Sequence, residues 1–127
     1  MVILFYDLCM SEETKYSTTY LRFLNLIQAI RELPSFPNVD PVEERLLNAL
    51  ASIWHKGQRI TVLEAMSLPV EVSATTLHRR LKSLRSKGML ALQTDDVDTR
   101  IKYVVPTERT EHYFSVLGKC LNDAGQA

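Results

Sequence analysis

The chain has 127 residues, 46% of them hydrophobic, and its 15 basic and 15 acidic side chains give a formal net charge of zero. This length is typical of one domain with a single core, and the longest apolar run is far below the ~20 residues that span a bilayer. Met1 to Phe5 lacks the basic start and the cleavage site of a secretory signal, and Cys9 and Cys120 match neither a disulfide framework nor a zinc pattern. We therefore expect a cytoplasmic protein without a membrane partner.

The zero net charge conceals an uneven distribution along the chain. Residues 1–54 carry four basic and seven acidic groups, residues 55–92 carry seven and two, and residues 93–127 carry four and six. The three segments therefore have net charges of −3, +5 and −2. Because the local field steers a polyanion toward a surface, the middle segment is the candidate for contact with a nucleic acid.

The first part of the chain has the pattern of several helices. Apolar residues recur at helical spacing over residues 14–33, and prolines then interrupt the chain at a loop over residues 35–39. Asp40-Pro41 begins a second helix, with aspartate as its N-cap and proline at its first position. Thr61 caps a short third helix, and Glu64 completes a capping box there.

Residues 73–107 are the most informative segment of the chain. Ser73 is a good N-cap, and Gly88 stands where a left-handed residue can end a helix. Residues 89–93 and 101–105 are rich in apolar and β-branched side chains, which predicts two strands joined by a polar tip at residues 94–100. This order predicts a helix-turn-helix whose recognition helix is 73–87, followed by a β-wing at 89–105. The basic residues of the helix, which no acidic residue interrupts, are Arg79, Arg80, Lys82, Arg85 and Lys87.

The face of this helix suits the major groove of DNA. With Leu77 inward, the helical period places Thr75, Arg79, Lys82 and Ser86 on the opposite side. Arginine can make two hydrogen bonds to guanine, threonine can contact a base edge, and lysine suits phosphate. A solvated basic helix of an ordinary globular protein is the alternative, but the hairpin that follows favours DNA binding. The candidate DNA-binding residues are Ser73, Thr75, Thr76, His78, Arg79, Lys82, Ser83, Arg100 and Lys102.

Several spaced motifs in residues 40–121 point to one family. Asp95, Asp98 and Arg100 have a recurrent wing spacing, and Thr107-Glu108 opens the next helix. The helix pattern consists of Thr75, Thr76, Leu77, Arg79, Leu81 and Lys82. Together these residues resemble the multiple antibiotic resistance regulator (MarR) family of winged-helix transcription factors, although Pro106 replaces the usual aliphatic residue. The resemblance implies a sequence-specific regulator that binds double-stranded DNA, with a mainly α fold, a small β-wing and terminal dimerisation helices.

The role of the wing depends on one arginine. The resemblance implies that Arg100 approaches the minor groove and pairs with Asp98 or Asp95. The wing has only Arg100 and Lys102 as cations beside three aspartates, which favours the helix as the main DNA contact. An Arg–Asp pair is also typical of a purely structural brace, and both interpretations stay open here.

The resemblance implies that the chain is divided into a DNA-binding core and two dimerisation segments. The N-terminal segment 1–39 and the C-terminal helix 107–127 would form a dimer, and residues 40–106 would be the winged-helix core. A symmetric dimer presents two recognition helices to half-sites about one helical turn apart. Both terminal helices are more apolar than a small core requires, which favours the dimer over helices that only cover their own core. The first dozen residues fit either an extension of this interface or a packed tail.

No catalytic constellation is evident. His55, His78 and His112 are far apart in sequence, and no phosphate-binding glycine loop or nucleophile elbow is present. We predict a protein that is not an enzyme and needs no cofactor or metal. The resemblance adds a small-molecule effector as a candidate partner but names none. Cys9 and Cys120 are candidates for redox sensing by residue type alone, and a buried, inert cysteine is the commoner outcome.

Two other functions would use the same residues. A replication-control protein of a plasmid or phage would bind DNA through the same helix. A winged-helix protein–protein adaptor would instead present the basic face to an acidic partner, and it would bind DNA weakly or not at all. Loss of operator binding on replacing Arg79 and Lys82 distinguishes the DNA-binding hypotheses from the adaptor.

Overall fold

The computed structural model describes residues 2–126, with side chains from residue 12 to residue 126. It is mostly helical with one two-stranded antiparallel hairpin, so the predicted fold class is confirmed. No helix in this part of the chain is long and apolar enough to cross a membrane. The elements in chain order are α1 (Val2–Arg31), α2 (Pro41–His55), α3 (Val62–Ala65), α4 (Ala74–Ser86), β1 (Leu90–Thr94), β2 (Lys102–Pro106) and α5 (Glu108–Gly125).

The chain divides into two compact units. One unit comprises Met1–Pro37 with Tyr113–Ala127, and the other comprises residues 38–112. The second unit holds the helix-turn-helix, formed by α3 and α4, and the hairpin formed by β1 and β2. Its core is aliphatic and is built by residues from α2, α4 and the hairpin. The buried members include Leu46, Leu47, Leu50, Leu77, Leu81, Leu84, Met89, Leu90 and Val104.

Local capping chemistry sets the helix ends in the second unit. The Asp40 side chain accepts from the Glu43 backbone N–H at 2.8 Å, and the Glu43 side chain accepts from the Asp40 N–H at 3.1 Å. Thr61 and Glu64 form the same reciprocal pair at the start of α3. Each box satisfies two backbone donors that the first turn of a helix leaves free. The predicted capping residues of α2 and α3 are therefore the observed ones.

The hairpin begins one residue later than predicted. Its register runs from Leu90 opposite Pro106 to Thr94 opposite Lys102. Met89 stays outside the ladder because its N–H donates to the Leu84 carbonyl at the end of α4, while its carbonyl accepts from the Thr110 hydroxyl. Ile101 also lies outside the ladder, because its N–H donates to the Asp98 carbonyl within the turn at 3.0 Å. The backbone N–H groups of Met89 and Ile101 are therefore paired outside the ladder.

The first unit has aromatic packing and a large exposed apolar surface. Phe36 stacks on Tyr113 with ring centroids 5.3 Å apart, and the Arg22 guanidinium donates to the Ala124 carbonyl at 2.9 Å. Helix α1 begins at Val2, well before the predicted start at Thr14, and α5 ends at Gly125, within the predicted segment 107–127. Cys120 is buried, whereas the side chain of Cys9 lies outside the described residues. The exposed large apolar side chains of this unit are Tyr16, Tyr20, Leu21, Leu24, Leu33 and Leu121.

Candidate nucleic-acid interface

The recognition helix is capped at both ends by the residues that the sequence indicated. The Ser73 hydroxyl accepts from the Thr76 backbone N–H at 3.2 Å, and its own proton goes to the Thr76 hydroxyl at 3.0 Å. After Lys87, the backbone of Gly88 has φ +75°, a conformation that costs an L side chain strain but glycine nothing. Leu77, Leu81 and Leu84 face the core, so the opposite side of α4 faces solvent.

The exposed side of α4 holds most of the candidate DNA-binding side chains. Thr75, His78, Arg79 and Lys82 are exposed, and Thr76 and Ser83 are half-buried at the edge of this face. Among residues 12–126, no acidic side chain forms an ion pair with Arg79 or Lys82. Their cationic groups are therefore available to an external anion. The hydroxyls of Ser73 and Thr76 form a hydrogen bond with each other, so they stabilise the N-cap of α4 before any contact with DNA.

The basic run of α4 is divided into two groups that the sequence did not separate. Arg80 forms an ion pair with Asp40 at 3.0 Å, and Lys87 forms one with Glu43 at 2.8 Å. Arg79, Lys82 and Arg85 have no such partner among the described side chains. Arg80 and Lys87 lie seven residues apart, which places them on one side of the helix, and this spacing was the available signal. The cation count of the outward face is therefore three, not five.

The wing, defined as β1, β2 and their connecting turn, is held by two aspartates. Arg100 donates through Nε to Asp98 Oδ1 and through Nη2 to Asp98 Oδ2, both at 3.0 Å. Asp98 is therefore the partner, rather than Asp95. This pairing lowers the pKa of the Asp98 carboxyl and raises the pKa of Arg100. Lys102, at the start of β2, is exposed and forms no ion pair with another described residue.

Asp95 organises the turn from the other side. Its Oδ2 accepts from the backbone N–H groups of Asp98 at 2.9 Å and Val97 at 3.1 Å, and its Oδ1 accepts from the Tyr103 hydroxyl at 3.1 Å. These bonds, with those from Asp98 and Val97 first, lower the pKa of the Asp95 carboxyl. Arg59 lies over the Tyr103 ring, 3.6 Å from its centroid. Sequence reasoning missed Arg59, because nothing local indicates that it meets a residue 44 positions later.

We expect the turn of the wing to loosen only in strong acid. A carboxyl whose pKa is lowered in the folded state stabilises the fold above its ordinary value of 3.8 and loses that contribution as the pH falls below it. The amide resonances of Val97 and Asp98, followed by NMR from pH 7 to pH 2, should therefore move with a midpoint below 3.8. Asp95→Asn should remove the contribution of Asp95 and leave only the transition of Asp98, whose carboxyl pKa is also lowered. A midpoint above 3.8 would contradict the assigned bonds.

A small cavity lies between α4 and the wing. Its volume is about 200 Å³, and the apolar side chains of Leu81, Leu92 and Val104 are among those that line it. His78, Lys82 and Arg85 line the same cavity from α4. Among the described residues, no group of three or more His, Cys, Asp or Glu side chains could hold a metal ion. The site is thus a cationic, hydrogen-bonding surface next to a hairpin.

Comparisons with known proteins identify the fold. No family model matches the chain, and no curated protein matches it. Among solved structures, the transcriptional regulator Tm0710 from Thermotoga maritima is similar with a TM-score of 0.57 and 16% identity, over 88% of this chain and 70% of that one. The chain has the winged-helix fold of MarR-type regulators.

Two further structures share this winged-helix fold. The heme sensor protein PefR from Streptococcus agalactiae, in complex with heme, has a TM-score of 0.56 and 12% identity, over 95% of this chain and 74% of that one. The YusO protein from Bacillus subtilis has a TM-score of 0.54 and 18% identity, over 94% of this chain and 77% of that one. The MarR-type resemblance is therefore confirmed at the level of the winged-helix fold.

Proposed function

We propose that the chain is a MarR-type transcription regulator that binds double-stranded DNA as a homodimer. Helix α4 enters the major groove, with Arg79 and Thr75 at base edges and Lys82 at a phosphate. Ser73, Thr76, His78 and Ser83 border the same contact. The observation that carries the proposal is an outward face of α4 with three cations unpaired among the described residues, on a helix backed by a continuous core.

The wing makes a secondary contribution in this proposal. Arg100 is 89% exposed along its side chain, but the Nε–Nη2 edge of its guanidinium is already directed at Asp98. It first braces the turn, and its remaining N–H groups are available to the minor groove. Lys102 is the other wing cation and would contact phosphate. Three aspartates in the turn segment oppose these two cations, so the helix supplies most of the attraction.

The decisive experiment is selection of bound sequences from a random duplex library. A palindromic winner that binds far more tightly than random DNA, and weakens steeply with salt, supports a dimeric regulator. No enriched sequence together with salt-insensitive binding would overturn the proposal. An acidic protein partner would then be the target of the basic face, as in an adaptor.

Arg79→Ala should weaken binding to the selected operator by about 1–3 kcal/mol, because two hydrogen bonds to a base are lost. Binding to random duplex should change much less. Lys82→Ala should instead weaken both kinds of DNA similarly, since phosphate carries no sequence information. Arg45→Ala removes an exposed cation from α2 and serves as the control. Equal operator affinity for Arg79→Ala and wild type, measured by fluorescence anisotropy, would exclude the base contact.

We propose that the N-terminal segment 1–39 and the C-terminal helix 107–127 form the dimer around the core 40–106. Leu21 is 57% exposed and Leu24 is 41% exposed within one chain, although both are large apolar side chains. Leu21→Glu should raise the dimer dissociation constant by roughly 100-fold, because a carboxylate would be buried at the interface. Sedimentation equilibrium measures this change. Asn48→Glu adds the same charge to exposed α2 and should leave association unchanged.

The proposal includes a small-molecule effector of unspecified chemistry. Its support is that PefR, which shares the fold, is a heme sensor protein. A ligand that binds next to α4 would compete with DNA, because the cavity there is lined by His78 and Lys82 from the proposed DNA contact.

A further inference from the structure

Two basic residues of the recognition helix are directed away from its DNA face. Arg80 Nη1 lies 3.0 Å from Asp40 Oδ2, and Lys87 Nζ lies 2.8 Å from Glu43 Oε1. Lys87 Nζ also donates to the backbone carbonyl of Asn38 at 2.6 Å. We call these five residues the α2–α4 clamp. Both acidic members belong to the capping box of α2, so the clamp joins α4 to the start of α2.

The spacing of the two contacts restrains α4 in two ways. Seven residues at 1.5 Å each separate Arg80 and Lys87 by about 10 Å along the helix axis. Together with the buried leucines of α4, two contacts on one side of the helix resist both its rotation and its tilt more than a single contact would. Arg79 is the immediate neighbour of Arg80, so a rotation of α4 moves its guanidinium directly. The clamp therefore acts on the direction in which the DNA face points.

The acidic side of the clamp has little freedom to move. Glu43 is 1% exposed, and its Oε1 also accepts from the Asp40 backbone N–H. Its Oε2 and the Nε of Arg80 are buried, and neither atom has a hydrogen-bond partner among the described residues. A buried carboxylate that loses its cation has no water to replace it, so Lys87 is strongly retained. Asn38 is the first residue of this unit, so the clamp holds α4 where the chain enters the unit.

We propose that the α2–α4 clamp orients the recognition helix, and that Arg80 and Lys87 are positioning residues for DNA reading. Neither residue contacts DNA in this scheme. The inference rests on the proposed function, since it assigns these residues a part in that same DNA contact. It also explains why two of the five cations of α4 are directed to α2 instead of to the polyanion.

The test compares Lys87, the C-cap of α4, with Arg85 in the last turn of that helix. Lys87→Met removes a clamp residue, and Arg85→Met removes an exposed cation without an ion pair to a described residue. Lys87→Met should lower affinity for the selected operator about tenfold, while affinity for random duplex and the salt dependence stay within error of wild type. Arg85→Met should weaken both DNAs and reduce the slope of log K against log salt by roughly 2 in a dimer, about 0.9 for each lost phosphate contact. Lys87→Arg, which keeps a cation, should restore operator binding.

Several outcomes would overturn the inference. If Lys87→Met behaves like Arg85→Met, Lys87 is a phosphate contact and not a positioning residue. If Lys87→Met keeps full operator affinity, Lys87 has only a structural role. If Lys87→Met does not fold, Glu43→Gln/Lys87→Met removes the uncompensated carboxylate and takes its place in the comparison. If the wild-type protein selects no operator, the proposed function fails. Hydrogen exchange of the free protein then tests whether Lys87 restrains the end of α4. Amides 84–88 should then exchange at least tenfold faster in the Lys87 variant than in Arg85→Met, and equal rates would refute it.

Discussion

Leu84→Ala is expected to lower the free energy of unfolding by about 3–5 kcal/mol. Leu84 is completely buried on the inner face of α4, where that helix packs against α2. The change removes apolar contacts and leaves a cavity that the packed leucines of α2 can fill only in part. Urea unfolding followed by circular dichroism measures the loss. Operator affinity should fall with it, because the same core holds the proposed DNA-binding face of α4 outward.

The matched control is Leu63→Ala on α3. Leu63 is 82% exposed, so the same chemical change there should cost less than about 0.5 kcal/mol. Similar losses at both positions would contradict the assignment of Leu84 to the core. A decrease in the free energy of unfolding of less than about 1 kcal/mol for Leu84→Ala, as expected of an exposed position, would also contradict that assignment.

Lys87→Met is expected to lower the free energy of unfolding by about 3 kcal/mol, far more than removal of an ordinary surface cation. The reason is the asymmetry of the ion pair. The Lys87 side chain is 33% exposed, whereas that of Glu43 is 1% exposed. Removing the lysine therefore leaves a carboxylate in the interior without compensation, while removing the carboxylate leaves a lysine that can still reach water.

A double-mutant cycle isolates this effect. Glu43→Gln/Lys87→Met should be more stable than Lys87→Met alone, because an amide tolerates burial better and still accepts the Asp40 backbone bond. Urea unfolding of the four proteins at high salt gives the coupling, since salt screens surface pairs but hardly affects buried ones. If Lys87→Met costs no more than about 0.5 kcal/mol, the pair behaves like a solvent-exposed one and the account of Glu43 is wrong.

Local chemistry made much of the winged helix predictable from sequence. The ends of α2, α3 and α4 follow from Asp40, Thr61 and Ser73 as N-caps, since each cap bonds a backbone N–H three residues ahead. Gly57 and Gly88 have positive φ just after their helices, which is a property of a single residue. The outward position of Arg79 and Lys82 follows from the helical period once Leu77 is inside.

The strand boundaries show where local prediction stops. Met89 and Ile101 begin segments rich in strand-forming residues, but the backbone N–H of each is used elsewhere, by the end of α4 and by the turn. Both residues are excluded from the ladder because their N–H groups donate to carbonyls outside it. The strand propensity of a residue contains no information on such competing acceptors. The early start of α1 is a related case, because Asp7 and Ser11 are residue types that often cap helices, yet the helix continues through both positions.

By itself, the sequence determined the order of elements, the caps, and the buried and outward faces of α4. These features depend on neighbours within about four positions, where hydrogen bonding and side-chain period act directly. Only the tertiary structure decided that Arg80 and Lys87 turn toward α2, that Asp98 holds Arg100, and that Arg59 lies on Tyr103. A charged or aromatic side chain can interact with many partners. The fold selects one partner by bringing distant residues within about 4 Å and by excluding the water that would compete.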